Sequence, residues 1–174
     1  MPSLSTERLI LRPIANSDLA ALHEFWNEPD VRRYLWDDQH LSREAVGRIV
    51  AASEACFTEL GSGFFAIEVA KNPGMLVGFC GHRRFEDGDQ VELLFGILPD
   101  FWGEGYVTEA AIAVLRFGFE NCGIDRVVAA ADTPNQRSVR VLQRLGMIFE
   151  ERREFHGLDT VFYSMSESDF ASTS

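Results

Sequence analysis

The sequence predicts an α+β protein of the layered α/β/α kind, built on a mixed, mostly antiparallel sheet with one parallel strand pair. Apolar residues occupy both alternating positions of Val91–Leu98, which is typical of a strand covered on both faces. Pro99 ends this strand because proline has no backbone N–H to donate. Apolar residues at helical spacing follow from Val107 to Phe117, and the next strand, Asp125–Ala131, comes after that helix. A strand reached through a helix lies parallel to the strand before it, so these two strands are predicted to be the parallel pair.

The other elements are predicted around this unit. They are a strand over 6–13, helices over 16–27, 31–35 and 42–60, strands over 64–70 and 75–81, a turn over 86–89, a helix over 135–145, and a hairpin of strands over 147–155 and 160–166. In this order the parallel pair is formed by the fourth and fifth strands. The length of 174 residues favours one domain, 1–174, with a core over about residues 6–166 and a loose tail over 168–174.

A turn with two glycines, Gly103 and Gly105, separates the central strand from its helix. Glycine lets the backbone turn sharply and leaves its N–H groups uncovered. The first N–H groups of a helix have no partners inside the helix, and the positive end of the helix dipole points at the turn. The turn is therefore suited to bind an anion such as a phosphate.

Three phosphate-binding loops occur between a strand and a helix. The P-loop requires Lys and then Ser or Thr after its last glycine, whereas Tyr106 and Val107 follow Gly105 here, so the P-loop is rejected. The dinucleotide fingerprint requires a third glycine where this chain has Thr108, although Asp125 stands near the place of that fingerprint's acidic residue. The third loop is the one that binds the pyrophosphate of an acyl-CoA.

The segment WGEGYV, residues 102–107, resembles the loop Q/R-x-x-G-x-G/A of the GNAT acetyltransferase superfamily. Gly105 matches the essential glycine, while Trp102 and Val107 depart from the general pattern. The longer form WGEGYVTEA is similar to one branch, the ribosomal-protein alanine/serine N-terminal acetyltransferases and their small-molecule relatives, as are TERLILRP and NEPDVRRYL near the N-terminus. The resemblance implies that the diphosphate is bound by Gly103, Glu104, Gly105, Tyr106, Val107 and Thr108.

A second motif begins the helix predicted over 135–145. Asn135 and Ser138 fit the family pattern N-x-x-S-x-x-x-L-x-x-x-G, in which the Asn bonds the pantetheine amide and the Ser is aimed at the thioester. From the residues alone, Asn135 is equally a helix cap and Ser138 a polar helix residue, so both interpretations stay open. The two motifs place the resemblance over nearly the whole chain.

The resemblance implies a GNAT fold and transfer of an acetyl group from acetyl-CoA to an amine by direct attack. Pantetheine is expected in the gap between the diverging parallel strands, along the free backbone of Phe95, Gly96 and Ile97. A bulge in this strand is expected to offer an N–H group near Leu94 or Phe95 to the thioester oxygen. Nothing in the sequence suggests a covalent acyl-enzyme, so positioning of two substrates should supply most of the rate.

An attacking amine must lose a proton, and a carboxylate is suited to take it. Glu92 on the central strand is the first candidate, and Glu154 on the closing hairpin is the second. The alternatives for Glu92 are a strand residue that faces solvent and an ion pair with Arg83 or Arg84. Many relatives use a tyrosine to protonate the leaving thiolate where this chain has Leu142, so either Ser138 takes that role or no acid is needed.

The composition narrows the function further. A formal net charge of −11 argues against a nucleic-acid partner and is compatible with a cationic amine, a small molecule or a peptide N-terminus. The three cysteines have no zinc or disulfide spacing, so no metal is expected. The absence of a membrane-length apolar run and of a signal peptide predicts a cytoplasmic protein with no membrane partner. Dimers are common in the branch, so a homodimer is one expectation. The alternatives to an enzyme are a CoA-binding sensor of the same fold and another nucleotide-binding domain.

Overall fold

The computed structural model describes residues 1–86 and 88–173; Asp87, in the turn predicted over 86–89, and Ser174 lie outside the described residues. Eight strands of the described chain form one sheet. In chain order they are β1 (Leu4–Ser5), β2 (Leu9–Pro13), β3 (Phe64–Val69), β4 (Leu76–Arg84), β5 (Val91–Ile97), β6 (Arg126–Asp132), β7 (Ile148–Phe155) and β8 (Leu158–Ser166).

The order of strands across the sheet is β1-β2-β3-β4-β5-β6-β8-β7. Every neighbouring pair is antiparallel except β5 and β6, which are parallel. The predicted parallel pair is therefore confirmed. The sheet has one strand more than predicted, because the short β1 pairs with β2 before the predicted first strand begins.

Helices cover both faces of this sheet. They are α1 (Leu19–Asn27), α2 (Pro29–Arg32), α3 (Arg43–Leu60), α4 (Tyr106–Cys122), α5 (Gln136–Arg144) and α6 (Glu167–Thr173), with short 3-10 turns at Asn16–Asp18, Trp36–Asp38 and Pro99–Phe101. Leu22 of α1 and Val50 of α3 belong to one buried apolar cluster, whereas Val114 of α4 and Leu142 of α5 belong to another. The layered α/β/α arrangement predicted from the sequence is thus confirmed.

The expectation of a loose tail was wrong. Residues 167–173 form α6, and the buried Phe170 lies 5.4 Å from Phe119 of α4 between ring centroids. The helix is capped reciprocally: the Asp169 carboxylate accepts from the Ser166 N–H, and the Ser166 hydroxyl accepts from the Asp169 N–H. The signal was the spacing Ser-x-x-Asp at 166–169, a capping box that the sequence analysis overlooked.

The interiors of α3 and α4 each contain one glycine, and the two differ in the room around them. A methyl group at Gly47 would lie 4.0 Å from Leu19, an ordinary contact, whereas one at Gly118 would lie 2.6 Å from the buried His82 ring. We expect Gly118→Ala to lower the free energy of unfolding by about 1–3 kcal/mol through overpacking. Gly47→Ala should raise it by about 0.5–1 kcal/mol through helix propensity.

Urea unfolding followed by circular dichroism measures both changes. Equal stability of the two variants would contradict the packing at the α4–β4 contact, because both substitutions make the same chemical change inside a helix.

Candidate active site

The cleft of the molecule opens where β5 and β6 separate. Their parallel pairing covers only Val91 with Val127 and Glu92 with Val128. Beyond that point β5 stays paired with β4 as far as Ile97, and β6 stays paired with β8 as far as Asp132. The two strands therefore diverge toward the glycine turn and leave a cavity of about 410 Å³ between them.

The backbone groups that face this gap follow from the pairing of β5 with β4. The Leu98 N–H donates to Val77 of β4, and pairing alternates along an antiparallel strand, so Leu93, Phe95 and Ile97 direct their N–H and C=O groups toward β6. The Ile97 carbonyl already accepts from the Trp102 indole at 3.1 Å. The Phe95 N–H lies between the N–H groups of Leu93 and Ile97 along the strand, and it faces the cleft.

The expected bulge in this strand is absent from the described residues. The register between β4 and β5 runs without a shift from Gly78 and Ile97 to Arg84 and Val91. The only irregularity nearby lies between β3 and β4, at Ile67 and Glu68. Divergence of β6 alone frees the Phe95 N–H, so the strand needs no extra residue to present it.

The glycine turn presents uncovered amides, as the sequence predicts. Gly103 and Gly105 both have φ of 77°, a left-handed conformation that favours glycine. No described acceptor receives the N–H groups of residues 103–108, and the first amide to bond back is that of Glu109, to the Gly105 carbonyl. All of these residues except Glu104 line the cleft. Five cleft-lining residues of the turn and the first turn of α4 thus offer free donors that form an anion site.

Arg8 supports the turn from outside the cleft. Its Nη1 donates to the Glu104 carbonyl at 2.9 Å, and its Nε donates to the Glu109 carboxylate at 2.7 Å. Glu109 also accepts from the Thr6 hydroxyl and from the Arg8 amide. The N-terminal TER segment and the TEA segment, each part of the family resemblance, therefore contact one another in the structure.

Three arginines of α5 belong to the site although the sequence did not predict them there. Lining the cleft are Arg137, Arg140 and Arg144. None of them forms an ion pair with another described residue. Arg137 lies over the Trp102 ring at 3.6 Å. The signal was present in the sequence: these residues stand at helical spacing in a chain that is otherwise strongly acidic.

Asn135 and Ser138 meet at the start of α5. The Asn135 carbonyl oxygen accepts from the Ser138 N–H at 3.3 Å, and its amide nitrogen donates to the Ser138 hydroxyl at 2.9 Å. Because this hydroxyl receives a hydrogen bond, its own proton is available to a group in the cleft. Both residues line the cleft, so capping the helix and facing a ligand are compatible roles. Leu142 is 1% exposed and supplies no acid.

Glu92 is a buried carboxylate in the wall of the cleft. It is 3% exposed, and Arg83 Nε donates to its Oε2 at 2.6 Å. Alternation along β5 places Glu92 on the same sheet face as Leu94, which packs with the α1 and α3 cluster. Burial raises the pKa of Glu92 above its ordinary value, while the nearby Arg83 opposes that rise.

The second candidate base lies elsewhere. Glu154 is exposed, pairs in register with Asp159 at the end of the β7–β8 hairpin, and is not among the described residues that line the cleft. The neighbouring Phe155 and His156 do line it. The structure therefore brings Glu92 and Ser138 to one cleft and leaves Glu154 outside, because alternate residues of a strand point to opposite sides.

The remaining wall of the cleft is acidic and aromatic. It includes Asp30, Tyr34, Trp36 and Asp37. Trp36 and Asp37 belong to the left-handed turn Trp36–Asp38, whose three residues have φ between 55° and 57°. Asp132 at the end of β6 also lines it, and its pKa is raised by burial and by the charge of Asp37, although a hydrogen bond from Thr160 opposes this. This end of the cleft is suited to a cation.

Diverging parallel strands beside a glycine turn with free amides define the class of acyl-CoA-dependent N-acyltransferases. The chain belongs to the GNAT acetyltransferase family: the family model described as an acetyltransferase (GNAT) domain matches residues 8–148. It is an N-acetyltransferase, and members of this family use acetyl-CoA. Among the described residues, no helix is long and apolar enough to cross a bilayer.

Similar proteins extend along most of the chain. The uncharacterized N-acetyltransferase p20 of Bacillus licheniformis is 24% identical, over 98% of this chain and 99% of its own length. The FsC-acetyl coenzyme A-N(2)-transacetylase of Aspergillus fumigatus is 35% identical, over 86% of this chain and 66% of its own length. The solved structure of RimL, a ribosomal L7/L12 α-N-protein acetyltransferase in complex with coenzyme A, shares the fold with a TM-score of 0.79 at 18% identity, covering 95% of this chain and 98% of that one.

The arginines of α5 give a prediction about affinity for the diphosphate ligand. We expect Arg137→Ala and Arg140→Ala each to raise the Kd for CoA about 5- to 50-fold, because each removes one cation that can form charge-assisted hydrogen bonds to the phosphates. The affinity of both variants should also fall less steeply with salt. Isothermal titration at several salt concentrations measures this.

Gln143→Ala on the same helix is the matched control, since Gln143 does not line the cleft. An unchanged Kd for both arginine variants would place the phosphates elsewhere.

Proposed function

We propose that this protein transfers the acetyl group of acetyl-CoA to a cationic primary amine, either a small molecule or a protein N-terminus, by direct attack in a ternary complex. The observation that carries the proposal is the cleft itself. Free amides lie at its wide end, an unpaired strand edge lies along its length, and a buried carboxylate, Glu92, lies at its narrow end. These three features lie in the order that a diphosphate, a pantetheine arm and an acyl group require.

The wide end would hold the diphosphate. The N–H groups of residues 103–108 donate to phosphate oxygens, and the dipole of α4 adds to the attraction. Arg137, Arg140 and Arg144 supply positive charge across the same opening. Asn135 then faces the pantetheine arm with its amide, and the arm lies along the free edge of Phe95, Gly96 and Ile97. Because the Ile97 carbonyl is taken by Trp102, Phe95 offers the main backbone contacts.

The acyl oxygen would be stabilised by the Phe95 N–H. Negative charge grows on this oxygen when the amine adds to the thioester carbon. A backbone donor is suited to that charge because it is already fixed by the β4–β5 ladder and needs no reorganisation. Leu94 is not proposed as this donor, because hydrogen bonds alternate along the antiparallel β4–β5 pair and the Leu94 N–H faces β4.

Glu92 would accept the proton of the amine, directly or through a water molecule. Its pKa is raised by burial, and a carboxylate with a raised pKa holds a transferred proton better than an exposed one does. Activity should be present above the pKa of Glu92 and be lost as the pH falls through it, because the protonated carboxyl cannot act as a base. Glu154 lies outside the cleft and is not proposed as the base.

Ser138 would assist the leaving thiolate. Its hydroxyl accepts a hydrogen bond from Asn135 and keeps its own proton for the sulfur. A cationic amine loses two protons in all: Glu92 takes the first before attack and releases it to water, so that the neutral amine can add to the thioester. The second leaves the nitrogen as the C–N bond forms and the C–S bond breaks; it reprotonates Ser138, whose own proton has passed to the sulfur, and CoA leaves as the thiol. Leu142, where many relatives have a tyrosine, is buried and takes no part.

The acceptor end favours a positive charge. Asp30, Asp37 and Asp132 line it, whereas Arg83 is the one Lys or Arg of that wall among the described residues, and it is already paired with Glu92. The net charge of −11 adds a long-range attraction for amines. The relatives named above suggest both a small-molecule amine and a peptide α-amine, so the acceptor panel must contain both.

The test is release of CoA thiol from acetyl-CoA in the presence of polyamines and of short peptides with free N-termini. We expect the Glu92→Gln, Ser138→Ala double variant to lose at least about 100-fold in kcat, because it removes both proton-transfer groups. Its Kd for CoA should stay within about twofold, because neither residue contacts the diphosphate site.

Thiol release no faster in the wild type than in the double variant, with CoA still bound, would favour a sensor of the same fold over an enzyme. Preferential binding of NAD or ATP over CoA would contradict both.

A further inference from the structure

Arg83 stands between the buried carboxylate and the acceptor wall. It lies directly opposite Glu92 in the β4–β5 ladder, and its Nε donates to Oε2 at 2.6 Å. Glu92 is almost fully buried, whereas the side chain of Arg83 is 37% exposed and lines the cleft. A buried charge without a partner is strongly unfavourable, so this contact decides whether Glu92 stays ionised.

The contact uses only one oxygen of Glu92. Among the described residues, no donor contacts Oε1, and this atom is not one of the fully buried polar atoms without a partner, so it keeps some exposure to solvent. Oε2 is therefore held by the guanidinium while Oε1 remains available. This division suits a base, because the oxygen without a donor keeps both of its lone pairs for the amine.

Arg83 is itself fixed from the other side. Its guanidinium lies 5.7 Å from the centroid of the Trp36 ring, and Trp36 packs edge-to-face on the buried Trp26 at 5.4 Å. Trp36 belongs to the left-handed turn of the acceptor wall. One arginine thus spans the sheet and the wall, so the orientation of Glu92 depends on both.

We propose that Arg83 is a positioning residue: it holds Glu92 ionised with Oε1 free, and it links that orientation to Trp36 of the acceptor wall. The inference rests on the proposed role of Glu92 as the base. It adds that the acceptor wall and the base are not independent, because they share this guanidinium.

The charged groups around Glu92 set the direction of the expected effect. Arg83 lowers the pKa of Glu92, while burial and the charge of Glu86 raise it. Glu86 in turn accepts from His156 at 2.9 Å, which places a titratable ring on the hairpin side, and the negative charge of Asp37 on the acceptor wall acts on that ring. With Arg83 removed, only pKa-raising influences act directly on Glu92, so ionisation must require a higher pH.

The first experiment needs no acceptor. The side-chain carboxyl carbons of ¹³C-labelled glutamate are titrated by NMR, and Glu92 is assigned by comparison with Glu92→Gln. In Arg83→Met we expect the titration of Glu92 to move up by about one pH unit or more, because an opposite charge within hydrogen-bond distance shifts a carboxyl by that amount. Arg83→Lys keeps the charge and should move it less.

Arg84→Met is the matched control. Arg84 is the next residue of β4, is exposed, and bonds the Asp89 carbonyl on the far side of the strand from the cleft. Its removal should leave the titration of Glu92 in place. An unmoved Glu92 in Arg83→Met, or an equal movement in Arg84→Met, overturns the inference. Should Arg83→Met not fold, Arg83→Lys decides by the kinetics below.

The second experiment measures kcat against pH with the best amine of the acceptor panel. The acid limb should move up in Arg83→Met together with the NMR titration, and Arg83→Lys should keep the limb but lose about 10-fold in kcat through misorientation. In the Glu92→Gln background either substitution at Arg83 should change kcat by less than about twofold.

These two readouts separate the possible failures. If the acid limb of the kcat profile stays in place while the NMR titration of Glu92 moves, Glu92 is not the base. The role of Glu92 in the proposed function then fails, but the effect of Arg83 on the ionisation of Glu92 stands. If Arg83→Lys lowers kcat by the same factor in the Glu92→Gln background, Arg83 acts independently of Glu92. That result overturns the positioning role.

Discussion

The architecture of this protein depends on one interrupted pairing, that of β5 with β6. After two residue pairs the ladder ends, although both strands continue. Each strand is held along its whole length by its other neighbour, β5 by β4 and β6 by β8, so the gap cannot close by sliding one strand. Backbone groups left free in such a gap need partners, and a ligand with amide groups of its own can supply them. The fold itself therefore keeps a strand-shaped gap between β5 and β6.

The glycine turn stays open for a related reason. A loop with six free N–H groups would gain by turning them toward its own carbonyls. Arg8 prevents this from the opposite side, because it binds the Glu104 carbonyl and the Glu109 carboxylate at the same time. Trp102 fixes the other end of the turn through the Ile97 carbonyl. Carbonyls held on the outside leave amides directed inward, so segments far apart in sequence are needed to form one anion site.

The helices, the strands and the glycine turn could be predicted from the sequence, because the spacing of apolar residues and the placement of glycine determine local backbone structure. The parallel pair followed from a strand, a helix and a strand, and the free amides followed from Gly103 and Gly105. Features that depend on distant neighbours were not predictable in the same way. Glu154 has the right chemistry but lies on the outer side of its hairpin, and the cleft arginines of α5 become meaningful only when that helix is placed against Trp102. The expected bulge failed because divergence of β6 achieves the same exposure of Phe95.

The two-residue period of β5 explains how one strand can serve two substrates. Backbone groups of Leu93, Phe95 and Ile97 face the gap, where the acyl-CoA arm would lie, while side chains of the intervening residues face the acceptor wall. Glu92 is the only ionisable residue of this strand, and it stands where the pairing with β6 ends. A base one residue later would point its side chain into the α4 cluster, because Leu93 is buried there. The position of the proposed base along β5 is therefore set by the same register that opens the cleft, and a one-residue slip would lose both.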